Sequence, residues 1–129
     1  MARLIQGPRA GLLALVLLLI TALALAGCGG GASAGGSGGP ITVKMSDFKF
    51  EPSTITVKAG QPVKVTIENV GIVRHDWTVK GLDQPLTVVL DPKKSQTIEF
   101  TPTKPGTYEI VCTEPGHLEA GMKGQLIVQ

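Results

Sequence analysis

The residues best suited to chemistry lie close together near the carboxyl end of the chain. Within eleven consecutive residues the sequence places a thiol at Cys112, an imidazole at His117 and a thioether at Met122. The residues between them include one Pro and two Gly, which favour turns, so the three side chains can fold toward one point. Sulfur and nitrogen donors at this spacing indicate a metal site.

A simpler explanation of Cys112 is a buried structural cysteine, since cysteine packs as a small hydrophobe. The chain has one other cysteine, Cys28, which a motif near the amino end assigns to a lipid, so Cys112 has no disulfide partner within its domain. A thiol without a disulfide partner is open to oxidation in an exported protein, so the presence of Cys112 needs an explanation. The neighbouring His117 and Met122 favour metal binding over simple packing.

The donor types select among metals. A thiolate with an imidazole suits zinc or copper, whereas a Met thioether is a poor zinc ligand and a good copper ligand. A second imidazole is then required, and the one other histidine of the chain is His75, which must come from a different strand. Two imidazoles and a thiolate with a long axial thioether form the blue-copper electron-transfer arrangement. We therefore expect one copper ion, cycling between Cu(I) and Cu(II), held by His75, Cys112, His117 and Met122.

These donors need a scaffold, and the carboxyl-terminal part of the chain is predicted to supply it with strands. Apolar residues alternate with polar ones or form short runs, as in half-buried strands, and Gly, Pro and Asn residues separate the segments. The segments are 41–45, 55–57, 63–67, 77–79, 86–90, 98–100, 108–112 and 126–128. About eight strands in about 90 residues predict one all-β domain, an antiparallel sandwich or barrel with Greek-key connections.

The predicted β domain resembles the cupredoxins, the small blue copper proteins that include plastocyanin, azurin and auracyanin. The resemblance rests on Phe-Lys-Phe-Glu-Pro at 48–52, Ala-Gly at 59–60, the strand of His75 and the loop from Cys112 to Met122. The C-x4-H-x4-M spacing of this loop most resembles that of the auracyanins. The resemblance implies a cupredoxin-like Greek-key sandwich, the same four copper ligands, and redox proteins as partners whose contact is small and short-lived.

One position departs from the family pattern. Cupredoxins usually carry Asn directly after the upstream histidine, and this chain carries Asp76. We hypothesise that Asp76 accepts hydrogen bonds from Thr113 and from nearby backbone N–H groups, and so holds the ligand loop in place. An ionised Asp76 near copper would favour Cu(II) and lower the reduction potential. The alternative is that Asp76 points to solvent and changes little.

The amino-terminal segment 1–27 has the features of a lipoprotein signal peptide. Arg3 and Arg9 give it a positive start, and the apolar run that follows carries no charge. It leads into Leu-Ala-Gly-Cys at 25–28, which resembles the bacterial lipoprotein box and assigns Cys28 as the lipid attachment site. The alternative is an uncleaved membrane anchor, which needs about 20 apolar residues. Both interpretations place the domain outside the cytoplasmic membrane, on its extracytoplasmic or periplasmic side.

Residues 28–39, between the signal and the domain, consist of the lipidated Cys28 and a run of Gly, Ala and Ser. Such a run buries no apolar area to offset chain entropy, so we expect a flexible linker that tethers the domain 40–129 to the membrane. With Arg3 and Arg9 set aside, ten of the twelve Lys and Arg residues remain against ten Asp and Glu residues. The neutral remainder lacks the basic footprint of a nucleic-acid-binding protein.

These features predict a lipid-tethered mononuclear blue copper protein that is monomeric, is not an enzyme, and carries single electrons between extracytoplasmic redox partners. Four donors leave no open coordination position for a substrate. Two alternatives remain, namely a protein that stores or delivers copper with the same ligands, and an accessory cupredoxin subunit of an oxidase or reductase. Reversible reduction with the metal retained would indicate a carrier, and ready loss of Cu(I) to a chelator would indicate delivery.

Overall fold

The computed structural model describes residues 34–35 and 39–129. The predicted signal segment 1–27, the lipid attachment site Cys28 and most of the linker 28–39 lie outside the described residues. The described part of the chain forms ten strands and no helix. It accordingly offers no apolar helix of membrane-spanning length. The all-strand content confirms the predicted all-β class.

The strands are short and follow one another closely along the chain. In chain order they are β1 (Ala34–Gly35), β2 (Ile41–Ser46), β3 (Lys49–Glu51), β4 (Thr54–Val57), β5 (Val63–Asn69), β6 (His75–Val79), β7 (Leu86–Leu90), β8 (Ser95–Phe100), β9 (Gly106–Val111) and β10 (Lys123–Val128). Eight of them, β2 and β4 to β10, correspond to the predicted segments. The sequence did not predict β1 and β3, because two or three residues are too few to show an alternating pattern.

The strands form two sheets. One has the order β1-β4-β10-β9-β6-β7, and the other has the order β3-β2-β5-β8. Three pairings are parallel, namely β1 with β4, β4 with β10, and β2 with β5. The prediction of an antiparallel sandwich was incomplete in this respect. Apolar alternation shows which face of a strand is buried, and it carries no information on the direction of the neighbouring strand.

Buried residues of both sheets form a single apolar core. In β5 the side chains of Val63, Val65 and Ile67 are buried, while the residues between them are more exposed. Trp77 of β6, in the first sheet, and Met45 of β2, in the second, are both fully buried in this core. The two sheets therefore pack face to face as a sandwich.

The pairing of β6 with β9 positions the predicted ligands. β6 begins at His75, and β9 ends at Val111, directly before Cys112. The two strands are antiparallel neighbours, with Thr78 opposite Val111. Because the start of one strand lies beside the end of the other in an antiparallel pair, His75 and Cys112 reach the same end of the sandwich.

Candidate metal centre

Three of the predicted ligands converge at one end of the sandwich. The Nδ1 atom of His117 lies 3.1 Å from Nδ1 of His75 and 3.3 Å from Sγ of Cys112. One donor atom from each of the three residues lies within 4.8 Å of the other two. His75 and Cys112 are fully buried, and His117 is half-buried. The cluster thus has two enclosed donors and one that approaches solvent.

Backbone hydrogen bonds close the loop that carries Cys112, His117 and Met122. The Met122 N–H donates to the His117 carbonyl at 3.0 Å, and the Cys112 N–H donates to the Met122 carbonyl at 3.2 Å. Gly116 and Gly121 have φ angles of 82° and 97°, which residues with a side chain adopt only at a cost. These glycines let the loop turn back, so the fully buried Met122 returns beside Cys112. Metal coordination by Met122 stays a prediction.

Asp76 joins β6 to the ligand loop and is 2% exposed. Its Oδ1 accepts hydrogen bonds from the Thr113 N–H at 2.6 Å, the Thr113 hydroxyl at 3.0 Å and the Glu114 N–H at 3.2 Å. Its Oδ2 accepts one from the Thr78 hydroxyl at 2.5 Å. The Asp76 N–H donates to Sγ of Cys112 at 3.4 Å. The carboxylate therefore faces the loop and not solvent, and its effect on a bound metal stays a prediction.

The surroundings of Cys112 favour the neutral thiol when no cation is near. Burial raises the pKa of the Cys112 thiol, because the thiolate loses solvation. The N–H groups of Asp76 and Glu114 lower this pKa in part, and the Asp76 carboxylate raises it further. The thiol also donates to Oδ1 of Asp76 at 3.5 Å. A positive ion at the cluster would reverse this preference by stabilising the thiolate.

Asp47, in the turn between β2 and β3, contacts the cluster from outside and was missed in the sequence. Its Oδ1 lies 3.3 Å from Nε2 of His75, the ring nitrogen that does not face His117. The same oxygen accepts a hydrogen bond from the Ile72 N–H at 3.2 Å. This backbone bond is the main reason that the pKa of Asp47 is lowered; desolvation opposes it and the contact with His75 adds to it. Sequence patterns gave no signal for Asp47.

Asn69 organises the loop that leads into β6, and it too is absent from the predicted site. Its side chain is 1% exposed, and its Nδ2 donates to the carbonyls of Val73 at 2.8 Å and Leu90 at 2.9 Å. Its Oδ1 accepts the Gly71 N–H at 3.0 Å. The amide thus makes three hydrogen bonds in a buried setting. The Asn-Val-Gly sequence indicates a turn here, but it does not reveal that the amide is buried.

Apolar side chains are exposed beside the half-buried His117. Of six large apolar side chains exposed in the described residues, five lie on three loops at this end, and these five are named the apolar rim: Phe48, Val70, Ile72, Val73 and Leu118. The Phe48 ring packs edge-on against the His117 ring, with centroids 5.1 Å apart. Arg74 forms an ion pair with Glu114 at 3.1 Å, which joins the loop before β6 to the ligand loop. The three loops therefore present one surface around His117.

A two-sheet sandwich that brings two imidazoles and a thiol together at one end is the architecture of a small blue copper protein. The sequence matches the family model of the cupredoxin-like domain over residues 12–128. Because this match covers most of the chain, the protein belongs to the cupredoxin-like domain family. No curated protein matches the chain. The family expected from the ligand loop is therefore confirmed.

Solved structures with a similar fold include dithionite-reduced auracyanin from the photosynthetic bacterium Roseiflexus castenholzii, with a TM-score of 0.65 and 24% identity over 73% of this chain and 99% of that chain. Auracyanin A, a blue copper protein from the green thermophilic photosynthetic bacterium Chloroflexus aurantiacus, has a TM-score of 0.58 and 25% identity over 70% of this chain and 100% of its own. A Cu-containing nitrite reductase from Thermus scotoductus has a TM-score of 0.50 and 28% identity over 70% of this chain and 22% of its own. The chain thus corresponds to nearly a whole auracyanin and to a minor part of the enzyme.

The donor set fits the metal that the family implies. Two imidazole nitrogens and one thiol sulfur suit an ion that alternates between Cu(I), which prefers sulfur, and Cu(II), which accepts imidazole. In this cupredoxin the cluster of His75, Cys112 and His117 is consistent with one copper ion. A purely structural role of Cys112 does not explain why two imidazoles lie around its sulfur.

Proposed function

We propose that this protein is an electron carrier with one copper ion bound by His75, Cys112, His117 and Met122. The proposal is carried by the convergence of three donor atoms within 4.8 Å of one another. Bound copper would supply a reversible one-electron change between Cu(I) and Cu(II). The protein residues supply the donors, restrain them and connect them to the surface.

The contacts around the donors support a carrier because they restrain the ligands independently of any metal. Asp76 holds the start of the ligand loop through the backbone N–H groups of Thr113 and Glu114. The backbone bonds between Cys112 and Met122 hold its end. Ligands that are fixed in advance have little to rearrange when the charge of the site changes, which favours rapid electron exchange.

The surface beside His117 supports an exchange of electrons with other proteins. His117 is the half-buried member of the cluster, and Phe48 of the apolar rim packs against its ring with centroids 5.1 Å apart. The nearby Arg74 and Glu114 are paired with each other at 3.1 Å, so their opposite charges partly cancel beside the apolar rim. A small apolar contact of this kind suits a redox protein that docks briefly at the His117 edge and then leaves. We expect the protein to act as a monomer between such partners.

The proposal includes export and lipid attachment at Cys28, on the strength of the Leu-Ala-Gly-Cys motif at 25–28. Each buried CH₂ group of an acyl chain contributes about 0.8 kcal/mol, so two or three chains would hold the protein at the membrane. The Gly-rich linker would let the domain turn toward extracytoplasmic partners. In cells that attach lipids to such motifs, we expect a labelled fatty acid to be incorporated into the wild-type protein and not into Cys28→Ser.

One experiment separates an electron carrier from a protein that stores or delivers copper. Copper-loaded protein is reduced and reoxidised repeatedly in the presence of a Cu(I) chelator, and the copper content is measured after each cycle. A carrier keeps its copper and returns to the same spectrum. Transfer of the copper to the chelator after the first reduction would contradict the proposal and favour delivery.

A further inference from the structure

The two ring nitrogens of His75 face different partners. Nδ1 lies 3.1 Å from Nδ1 of His117, and Nε2 lies 3.3 Å from Oδ1 of Asp47. His75 is fully buried, so solvent does not supply another partner for either nitrogen. A neutral imidazole carries its proton on one nitrogen and a free lone pair on the other. A carboxylate beside Nε2 favours the proton at Nε2, because the carboxylate is an acceptor only.

Asp47 is itself held in place by the loop that leads into β6. Its Oδ1 accepts the Ile72 N–H at 3.2 Å. The Val70 and Gly71 N–H groups donate to the Met45 carbonyl at 2.9 Å and 3.2 Å, only two residues before Asp47. The end of β2 and the loop before His75 are therefore fastened together by three hydrogen bonds, one of which ends on the carboxylate.

Gly71 leaves the space in which the contact is made. A Cβ atom at position 71 would lie 2.5 Å from Oδ1 of Asp47 and 3.0 Å from Nε2 of His75. The first distance is too short for a non-bonded contact, so the carboxylate would have to move. An alanine at this position would push the Asp47 carboxylate away from His75 while leaving both side chains present, and its Cβ would also lie 3.3 Å from Oδ1 of Asn69.

We propose that Asp47 is a positioning residue of the metal centre, which keeps the proton of His75 on Nε2 so that the Nδ1 lone pair is available to a metal. The inference rests on the proposed copper site and adds to it the group that sets the orientation and tautomer of one ligand. A ring nitrogen opposite the metal that donates to a carboxylate is a common way to hold a histidine ligand. Here the carboxylate comes from a turn 28 residues away in sequence.

The tautomer of His75 is measured in the metal-free protein by ¹⁵N NMR, at a pH where the ring is neutral. We expect the Nε2–H form in the wild-type protein and a mixture of forms in Asp47→Ala. Asp47→Asn retains a carbonyl oxygen that accepts the same hydrogen bond, so it should preserve the Nε2–H form. Asp83→Asn is the matched control, since Asp83 bonds to Lys104 at 2.6 Å on the exposed surface.

Copper binding provides the second measurement. Outer partners of metal-bound histidines contribute roughly 10-fold to 100-fold to metal affinity, so we expect the Kd for Cu(II) to rise by that factor in Asp47→Ala. Asp47→Asn should lose less copper affinity than Asp47→Ala, and Asp83→Asn should bind Cu(II) with the Kd of the wild-type protein. If Asp47→Ala does not fold, Gly71→Ala serves in its place, with the same expected loss of the Nε2–H form.

Retention of the Nε2–H form in folded Asp47→Ala or Gly71→Ala would overturn the inference, and so would unchanged copper affinity in both. These results are distinguishable from a failure of the proposed function. If wild-type protein binds no copper, the electron-carrier proposal fails, yet the metal-free tautomer still decides whether Asp47 positions His75.

Discussion

Oδ1 of Asp76 lies 2.6 Å from the backbone nitrogen of Thr113 and 3.0 Å from its hydroxyl oxygen, so one carboxylate oxygen joins the two segments that carry the clustered donors His75 and Cys112. Asp76 directly follows His75, and Thr113 directly follows Cys112. The contact therefore fixes the two ligand segments relative to each other. A carboxylate accepts such hydrogen bonds more strongly than the amide that cupredoxins usually carry at this position.

The charge of Asp76 is expected to lower the reduction potential. In Asp76→Asn the side-chain oxygen can still accept the Thr113 bonds, but the negative charge is lost. The carboxylate lies 3.5 Å from the sulfur of Cys112. At an effective dielectric constant of about 20, a unit charge about 4 Å from another contributes about 4 kcal/mol, so we expect an upward shift on the order of 200 mV. Voltammetry of the copper protein measures it.

The surface variant Asp83→Asn is the control for this shift. It removes the same charge from an exposed pair with Lys104, which is held at 2.6 Å. Its potential should equal that of the wild-type protein, because exposed charges are screened by solvent and salt. No upward shift in Asp76→Asn, or equal shifts in both variants, would contradict a specific effect of Asp76.

The hydroxyl of Thr113 is expected to stabilise the fold even without a metal. Thr113→Ala removes the 3.0 Å bond to Asp76 and leaves a buried carboxylate with one donor fewer. We expect a loss of about 1–2 kcal/mol in the free energy of unfolding, since the acceptor is charged. Urea denaturation of the metal-free protein measures this loss. Thr113→Ser keeps the hydroxyl, so its free energy of unfolding should be close to that of the wild-type protein. Equal stability of the Ala and Ser variants would show that the hydrogen bond to Asp76 does not stabilise the fold.

A side chain at position 124 is expected to destabilise the fold. A Cβ atom there would overlap the carbonyl oxygen of Ser53, which already accepts the Gln125 N–H at 2.7 Å. Because that oxygen belongs to the backbone, it cannot move aside freely, and Gly124→Ala should destabilise the protein by about 1–3 kcal/mol. A Cβ at Gly39 meets nothing within 4 Å, so Gly39→Ala is the control. The thermal unfolding midpoint of Gly124→Ala should be lower than that of Gly39→Ala. Identical midpoints would contradict the close packing of β10 against Ser53.

The fluorescence emission of Trp77 is expected to show that its side chain is buried in the core. Its side chain is fully buried, and its Nε1 has no hydrogen-bond partner among the described residues. An indole without polar neighbours emits at shorter wavelength than one in water, because no solvent relaxes around the excited state. Since the chain has a single tryptophan, the emission spectrum before and after denaturation measures this directly. Coincident spectra of the folded and unfolded protein would contradict the burial of Trp77.

The strands could be predicted wherever alternation continues long enough. β5 is the clearest case, since Val63, Val65 and Ile67 are buried at every second position. β3 could not be predicted, because Phe50 is its one buried residue and a single residue shows no period. The parallel pairing of β2 with β5 could not be predicted from the sequence either, since pairing direction depends on contacts between distant segments.

The convergence of His75, Cys112 and His117 could be predicted because histidine and cysteine are rare in this chain, so few combinations exist. The residues that support the donors could not be predicted in the same way. Asp47 and Asn69 are of types that occur commonly in turns, and the sequence gives no reason to single them out. Their roles arise from contacts made only in the folded protein, with His75 at 3.3 Å for Asp47 and with Leu90 at 2.9 Å for Asn69.

The visible spectrum of the purified protein with Cu(II) tests the central claim most directly. We predict an intense blue or green absorption from a thiolate–copper bond, with one copper ion per chain, and its loss in Cys112→Ser. A wild-type protein that stays colourless with Cu(II), or a Cys112→Ser variant that keeps the colour, would contradict a copper centre at His75, Cys112 and His117.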